Sequence, residues 1–415
     1  GLFGRLGTGS STNVGTAANP LDEETEATDV GSKVTQLVAG PLHTCALLED
    51  NSTLCFGRQV SGSHAAGTAT TQFADSPPVA PGFSVPTRGR LTSLAAAVQA
   101  TCVVDECTCV FCAGNGDYVG TGRRVAVGAT PWGVQRVHFH FPLPVQSITS
   151  GRFHHCVTFR ATEPDGDRGV SCWGRDLDGQ LGYEGGANYF PTVHRVRGSA
   201  RAPPVVHVIV EFSESSASRD SDDGRGGGYL LNSTHTMLPL PPPLLFPVGL
   251  ASVHAGSSHT CLHVNTSAHC FGSNGFGQIL GSATSSHNSS VVGSRLDILS
   301  EVHGLAVGRR VSCFIVGDDR RVACIGRNDD GELGLGHRSE VDATPGEPLQ
   351  PVVGLPSSAI DVCFGNTHGC AIFEGSTVQC WGDNSFRQLG RLSTEDNEET
   401  SGNDEDVDQH LGPLV

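Results

Sequence analysis

The sequence predicts an all-β fold: a seven-bladed β-propeller of about four-stranded blades, with its first blade incomplete within the chain. Three observations predict it. A unit of roughly fifty residues recurs along the 415-residue chain. Each copy holds a pair of cysteines spaced as on the paired strands of a hairpin, and one copy holds two more between them. Glycine, at 54 residues, is about twice as frequent as usual, while charged residues make up only 17%, which suits short strands and tight turns better than long helices.

Length comes first. A chain of 415 residues exceeds what one hydrophobic core supports, so it is several domains or a repeat array. The repeat decides for the array. One copy reads GPLHTCALLEDNSTLCFG from Gly40, and another GRFHHCVTFRATEPDGDRGVSCWGRDLDGQLG from Gly151. GSSHTCLHVNTSAHCFGSNGFGQILG starts at Gly256, GRRVSCFIVGDDRRVACIGRNDDGELGLG at Gly308, and GNTHGCAIFEGSTVQCWGDNSFRQLG at Gly365. A degenerate copy, ATCVVDECTCVFCAGNGDYVGTG, starts at Ala100. The unit is G-x-x-H-x-C, an apolar strand, a turn, C-[WFIA]-G and a glycine-rich tail ending in LG.

The first cysteines are Cys45, Cys102, Cys156, Cys261, Cys313 and Cys370, mostly 52 to 57 residues apart. The gap from Cys156 to Cys261 is about double and has no second C-[WFIA]-G, so it reads as an insertion at about 201–248. Apolar or β-branched runs precede each copy, as at Lys33 to Ala39 and Ser252 to Ala255. Others follow the tail, as at Pro191-Thr-Val and Pro351-Val-Val. About four strands per copy is the content of one propeller blade. The repeat cores fall at about 33–75, 94–130, 147–190, 251–290, 304–345 and 359–395, with an acidic loop at 391–410. The opening GLFGRLGTG matches the tail of the unit, so 1–20 reads as a partial blade. It makes seven tails against six cysteine hairpins. The C-terminal LGPLV is a candidate outer strand for that blade, and Gly1 as first residue reads as a trimmed product or a slice of a longer chain.

The G-x-x-H-T-C-A-L strand, the C-W-G strand end and the N-x-x-G-Q-L-G tail resemble the repeat of the regulator of chromosome condensation family. The resemblance implies a seven-bladed propeller over nearly the whole chain outside the insertion and the acidic loops. It implies a structural role for the repeated histidine. It does not imply one activity, because one fold hosts many functions.

Hairpin geometry pairs the cysteines. Directly opposed antiparallel residues lie about 4.5–5.5 Å apart at Cα, within disulfide range. The expected bonds are Cys45–Cys55, Cys102–Cys112, Cys156–Cys172, Cys261–Cys270, Cys313–Cys324 and Cys370–Cys380. Cys107, Cys109 and Cys363 are left over, to pair locally, stay free or bond another chain. Cys107 and Cys109 beside Cys102 and Cys112 offer a rival zinc reading, but without two C-x-x-C knuckles. A disulfide framework implies an oxidising, extracellular or cell-surface location. The sequons at Asn51, Asn232, Asn265 and Asn288 support it and suggest N-linked glycans.

The formal net charge of −17 opposes nucleic acid as a partner, since such binding needs clustered Lys and Arg. The longest apolar stretch, LPLPPPLLFPVGLA, is broken by prolines, so direct membrane insertion is not expected. His43, His154, His259 and His368 share one repeat position, which reads as a hydrogen bond to backbone within each blade, with a metal ring as the rival. Asp176-x-Asp178-Gly179 and Asn328-Asp329-Asp330-Gly331 resemble calcium-loop fragments, but they coincide with the repeat's turn. Trp173 and Trp381 read as blade-packing residues, and Trp132 as an exposed one. No nucleophile, metalloprotease or phosphate-loop motif stands in a usable context.

The expectation is a non-catalytic extracellular glycoprotein, a scaffold or protein-interaction module without cofactor. Its partners would be proteins, including copies of itself in a cell-surface, matrix or filamentous, flagellar-hair-like assembly. The alternatives are a guanine-nucleotide exchange regulator, a propeller-type inhibitor presenting the loop from Glu211 to Gly228, and a carbohydrate-binding module.

Overall fold

The computed structural model describes residues 6, 28–59, 63, 72–73, 89–115, 118–119, 134–137, 139, 144–160, 168–182, 244–246, 250–279, 291–295, 300–339, 348–385 and 388–389. Among them every regular element is a strand, gathered into six antiparallel sheets. The first sheet is Val34–Ala39, His43–Leu48, Thr53–Gln59 and Gln72–Phe73. The second is Leu91–Ala96, Ala100–Asp105, Val110–Gly114 and Gln135–Val137. The third is Val145–Ser150, His154–Phe159, Arg168–Gly174 and Leu244–Phe246. Its last strand pairs with Arg168–Val170 and lies within the stretch read above as an insertion.

The fourth sheet is Leu250–Ala255, His259–Val264, Ser267–Gly272 and Val291–Arg295. The fifth is Val302–Val307, Val311–Val316 and Arg321–Gly326, and the sixth Ala359–Phe364, His368–Phe373 and Thr377–Gly382. Pro351-Val-Val, expected to form a further strand, reaches the fifth sheet only as a single bridge from Pro351 to Ala323. A proline has no N–H to continue a ladder. No helix among the described residues is long and apolar enough to cross a membrane.

The six sheets are copies of one design. Every first strand skips one residue of register near its start, between Val34 and Gln36 in the first sheet and between Ala359 and Asp361 in the sixth. Such a bulge raises the local twist. Five of the six third strands end on the glycine of C-x-G, and the first runs on from Gly57 to Gln59. At Gly174 and Gly326 φ is +117° and +120°. A Cβ there would stand 2.5 and 2.2 Å from the carbonyl oxygens of Phe153 and Arg310, so only glycine closes the hairpin onto the loop beneath it.

Five apolar clusters hold the array, each shared by two consecutive sheets. Leu47 and Cys45 of the first sheet meet Leu94, Val103 and Phe111 of the second. Val104 and Cys112 of the second meet Phe159 and Trp173 of the third. Cys172 and Leu181 meet Leu262 and Phe271. Ile279 and Cys261 meet Leu305 and Phe314, and Ile315 and Cys324 meet Phe373 and Trp381. Each sheet thus buries one face on the sheet before and one on the sheet after, so no single large core is needed. The first and sixth sheets carry the exceptions: Leu37 is 62% exposed, Ile360 55% and Ile372 42%.

Six disulfides staple the second strand to the third in every sheet: Cys45–Cys55, Cys102–Cys112, Cys156–Cys172, Cys261–Cys270, Cys313–Cys324 and Cys370–Cys380. The bonded residues are direct partners in the strand register, with Cα atoms 4.1 Å apart in Cys313–Cys324. In the first five sheets the bonded cysteines form part of the apolar seam with the next sheet. Replacing both Cys313 and Cys324 by Ala should lower unfolding stability by about 2–4 kcal/mol, from the freed loop and the lost packing together. Denaturant unfolding of the variant under non-reducing conditions measures this.

Candidate functional site

The polar positions of the repeat converge at one end of the sheets, where the loop after each first strand meets the end of each third strand. One backbone bond recurs there six times. The N–H groups of Arg58, Asn115, Arg175, Ser273, Arg327 and Asp383 donate to the carbonyls of Leu42, Gln99, Phe153, Ser258, Arg310 and Thr367. Neighbouring loops are also joined: Val98 N–H donates to Arg152 C=O, Arg152 N–H to Gly256 C=O, and Ser257 N–H to Gly308 C=O. The approach is close. A Cβ on Gly151 would lie 2.2 Å from the Gly256 oxygen and 2.4 Å from the His154 ring. This is why the unit opens with glycine.

At His43, His154 and His259 the ring bond seen differs from the backbone bond within the same sheet that the sequence reading expected. It reaches across to the next sheet. His43 Nε2 lies 2.7 Å from Thr101 Oγ1, His154 Nε2 2.8 Å from Thr260 Oγ1, and His259 Nε2 2.9 Å from Ser312 Oγ. Thr260 and Ser312 donate their own hydroxyl protons to the carbonyls of Gln180 and Gln278. A hydroxyl has one proton to give, so it accepts from the imidazole, and His154 and His259 carry their proton on Nε2. The seams between the third and fourth and between the fourth and fifth sheets are therefore relays from imidazole through hydroxyl to the tail carbonyl of the imidazole's own sheet. Burial without a charge partner pushes His154 and His259 down to about 3, so both are neutral.

The tails that supply those carbonyls are built by side-chain bonds. Asp176, Asn274 and Asn328 accept from the N–H five residues on, at Leu181, Ile279 and Leu333. Gln180, Gln278 and Glu332 accept from the N–H two residues back. The calcium-like fragments are thus turn scaffolds that seat a buried leucine or isoleucine. Where the hydroxyl position is Gly369, the indole of Trp381 takes over and donates to Glu332 C=O at 2.9 Å. Sequence reasoning assigned Trp381 to packing and missed this bond. Its signal was the absence of Ser or Thr after His368.

Around this hub lies a polar loop face. The Arg152 and Arg175 guanidiniums stand 4.9 and 5.0 Å from the Phe153 ring, and Arg310 stands 4.3 Å from Phe276. Arg327 pairs with Asp329, Asp330 and Glu332. Mixed charges on flat aromatic platforms suit protein contacts.

Residues 359–388 match the regulator of chromosome condensation (RCC1) repeat. The chain has the β-propeller fold of RCC1-like proteins. It is similar to yeast RCC1 (Prp20) in a structure with Kap60, at 15% identity and a TM-score of 0.62, over 97% of this chain and 82% of that one. It is similar to Prp20p from Saccharomyces cerevisiae in a structure described with its binding properties to Gsp1p and histones, at 16% identity and a TM-score of 0.62, over 97% and 84%. It is also similar to human WBSCR16, at 17% identity and a TM-score of 0.60, over 89% and 82%. No curated protein matches the chain in sequence.

In this RCC1-like propeller Cys107, Cys109 and Cys363 are free. The Cys102–Cys112 bond removes two ligands from the rival zinc reading. Cys107 and Cys109 lie on the hairpin turn of the second sheet, where burial and then Asp105 push the Cys109 thiol up. Of the sequons, Asn51 is half-buried and its side-chain oxygen accepts from Leu91 N–H of the second sheet. Asn265 is exposed on a hairpin turn at φ +53°. Asn232, Asn288, Trp132 and the loop from Glu211 to Gly228 lie outside the described residues, as do the acidic loop and LGPLV.

Two predictions follow from the relay. Removing Ser312 by S312A should cost about 1–3 kcal/mol, because it orphans the His259 N–H and the Gln278 carbonyl together. A His259/Ser312 double-mutant cycle should show at least ~0.5 kcal/mol of coupling, whereas independent packing losses would add. The second prediction concerns pH. His154 and His259 bind protons more weakly folded than unfolded, so their contribution to stability is complete above pH 6.5 and falls as pH drops toward 3. Asp176 acts oppositely: burial pushes it up to about 6, so its favourable contribution is lost as pH rises from about 4 to 6. D176N should therefore raise Tm at pH 7, by about 1 kcal/mol or more in stability, and leave it unchanged at pH 4. Thermal melts of both proteins at the two pH values measure the difference.

Proposed function

We propose that this RCC1-like propeller is a non-catalytic extracellular glycoprotein, a scaffold unit that binds protein partners on its loop face. The observation that carries the reading is one disulfide in each of six sheets. Such a framework persists in an oxidising compartment and is rare in the cytosol. The exposed Asn265 sequon is the acceptor that best suits a glycan. The repeated histidines support the absence of catalysis, because the relay spends them on holding sheets together. Copies of the chain itself are the partner we favour, in a surface, matrix or filamentous assembly. The exposed Leu37, Ile360 and Ile372 on the first and sixth sheets give such an assembly apolar contact area.

A second reading has one observation in its favour, the fold shared with Prp20p, a protein described as binding Gsp1p and histones. On that reading the loop face would engage a small GTPase and promote nucleotide release. The disulfides and the net charge of −17 weigh against an intracellular, chromatin-linked role.

Native material separates the two readings. On the first, dithiothreitol lowers Tm by roughly 10 °C or more, since several crosslinks worth about 2–3 kcal/mol each are lost. Enzymatic removal of N-glycans then shifts the mass, and non-reducing sizing shows species larger than one chain. Fully reduced cysteines in native protein, together with accelerated GDP release from a small GTPase, would sink it in favour of exchange activity.

A further inference from the structure

The sixth sheet differs from the other five at one position. The residue opposite the first cysteine of the hairpin, on the first strand, is Val38, Ala95, Thr149, His254 and Ala306 in the first five sheets. In the sixth it is Cys363, in direct register with Cys370. Cys370 is in turn in register with Cys380, to which it is bonded. Residues opposed across antiparallel strands project to the same face, so one row across three strands holds a thiol, then both halves of a disulfide. Directly opposed residues stand about 4.5–5.5 Å apart at Cα, within the range a disulfide spans. Cys363 is exposed, whereas Cys380 is buried.

We propose that Cys363 is the resolving thiol of an internal disulfide switch, in which the crosslink of the sixth sheet moves between Cys370–Cys380 and Cys363–Cys370. The Cys363 thiol gives its proton to solvent, and the thiolate attacks Cys370 Sγ. The Cys363–Cys370 bond forms as the Cys370–Cys380 bond breaks, and the electron pair leaves on Cys380 Sγ, which takes up a proton. One disulfide and one thiol stand on each side of the step, so no oxidant or reductant is consumed. The three cysteines share one cross-strand row, with Cys370 between the attacking and the leaving residue. The exchange moves the staple from the second and third strands to the first and second. It also moves the free thiol from an exposed position to a buried one, so the propeller holds either a reactive or a protected cysteine. Burial, then the Asp361 charge, push the Cys363 thiol up, so exchange quickens as pH rises.

The wild-type chain, kept without reductant at pH 6.5 or 8.5, is acid-quenched and blocked with N-ethylmaleimide. Chymotrypsin, cutting after Phe364 and Phe373, then puts the three cysteines on separate peptides for non-reducing mass spectrometry. The expected map has two linkages. Cys370–Cys380 appears with blocked Cys363, and Cys363–Cys370 with blocked Cys380, the second approached faster at pH 8.5. Cys363→Ser should leave only the first. Cys380→Ser should show two titratable thiols, Cys107 and Cys109, because Cys363 and Cys370 bond each other. A map showing Cys370–Cys380 alone at both pH values overturns the switch, and so does a folded Cys380→Ser chain with four thiols. If Cys380→Ser does not fold, the wild-type map decides.

Discussion

Consecutive sheets approach so closely at the hub that backbone touches backbone, and most of the molecule can be derived from that approach. With Gly151 and Gly256 almost in contact, water cannot enter the seam to solvate whatever polar groups lie there. Each one must find a partner in the protein or cost a few kcal/mol. The chain meets the requirement at imidazole Nε2 with a three-membered relay in which the middle hydroxyl belongs to the next sheet, while Nδ1 of His154 and His259 stays without a partner. The bond that satisfies the imidazole is therefore the bond that docks the neighbour. Carbonyl acceptors at Gln180 and Gln278 are available only because Asp176 and Asn274 hold their tails in a fixed turn. A turn residue, a strand residue and a residue of the following sheet thus form one unit.

The disulfides belong to the same economy of small cores. A sheet of three or four short strands has little apolar area on either face. Burying sulfur pairs such as Cys261–Cys270 in the seams fills volume and fixes the strand pair at once. The sixth sheet shows how tolerant the seam is of its means. With Gly369 at the hydroxyl position, the Trp381 ring occupies the vacated space: a Cβ on Gly369 would lie 2.5 Å from it. Bulk and a donor N–H replace a small hydroxyl, and the carbonyl of Glu332 is still satisfied.

Much of the fold was legible because its constraints repeat. The spacing of Cys313 and Cys324 across a short turn reads directly as two opposed strand positions. The glycine after each second cysteine marks where the backbone turns with positive φ. The fourth strands were harder. Leu244–Phe246 sits in a proline-rich run that resembles a linker, and its pairing depends on a register no local pattern encodes. The histidines were recognised as a set but given the wrong partner. A sequence read one copy at a time shows that His259 precedes Thr260. It does not show that the hydroxyl facing His259 is Ser312, about one repeat further on. Only the packing of one sheet on the next brings those residues together.

The relay also has a direction. Imidazole stands on the forward side of a sheet and hydroxyl on the backward side, and the sheets that lack one member lack it in matched pairs. Ala100 takes the imidazole position where the next sheet has His155 at the hydroxyl position, and Val311 takes it where the next sheet has Gly369. The order of modules is thereby written into their seams. A shuffled array that set Val311 before Thr260 would bury a hydroxyl with no imidazole to donate to it. One that set His259 before Gly369 would strand an imidazole proton against an indole. The repeats look alike, yet they are not interchangeable parts, and recombination within such a gene would be filtered by hydrogen-bond matching before shape entered into it.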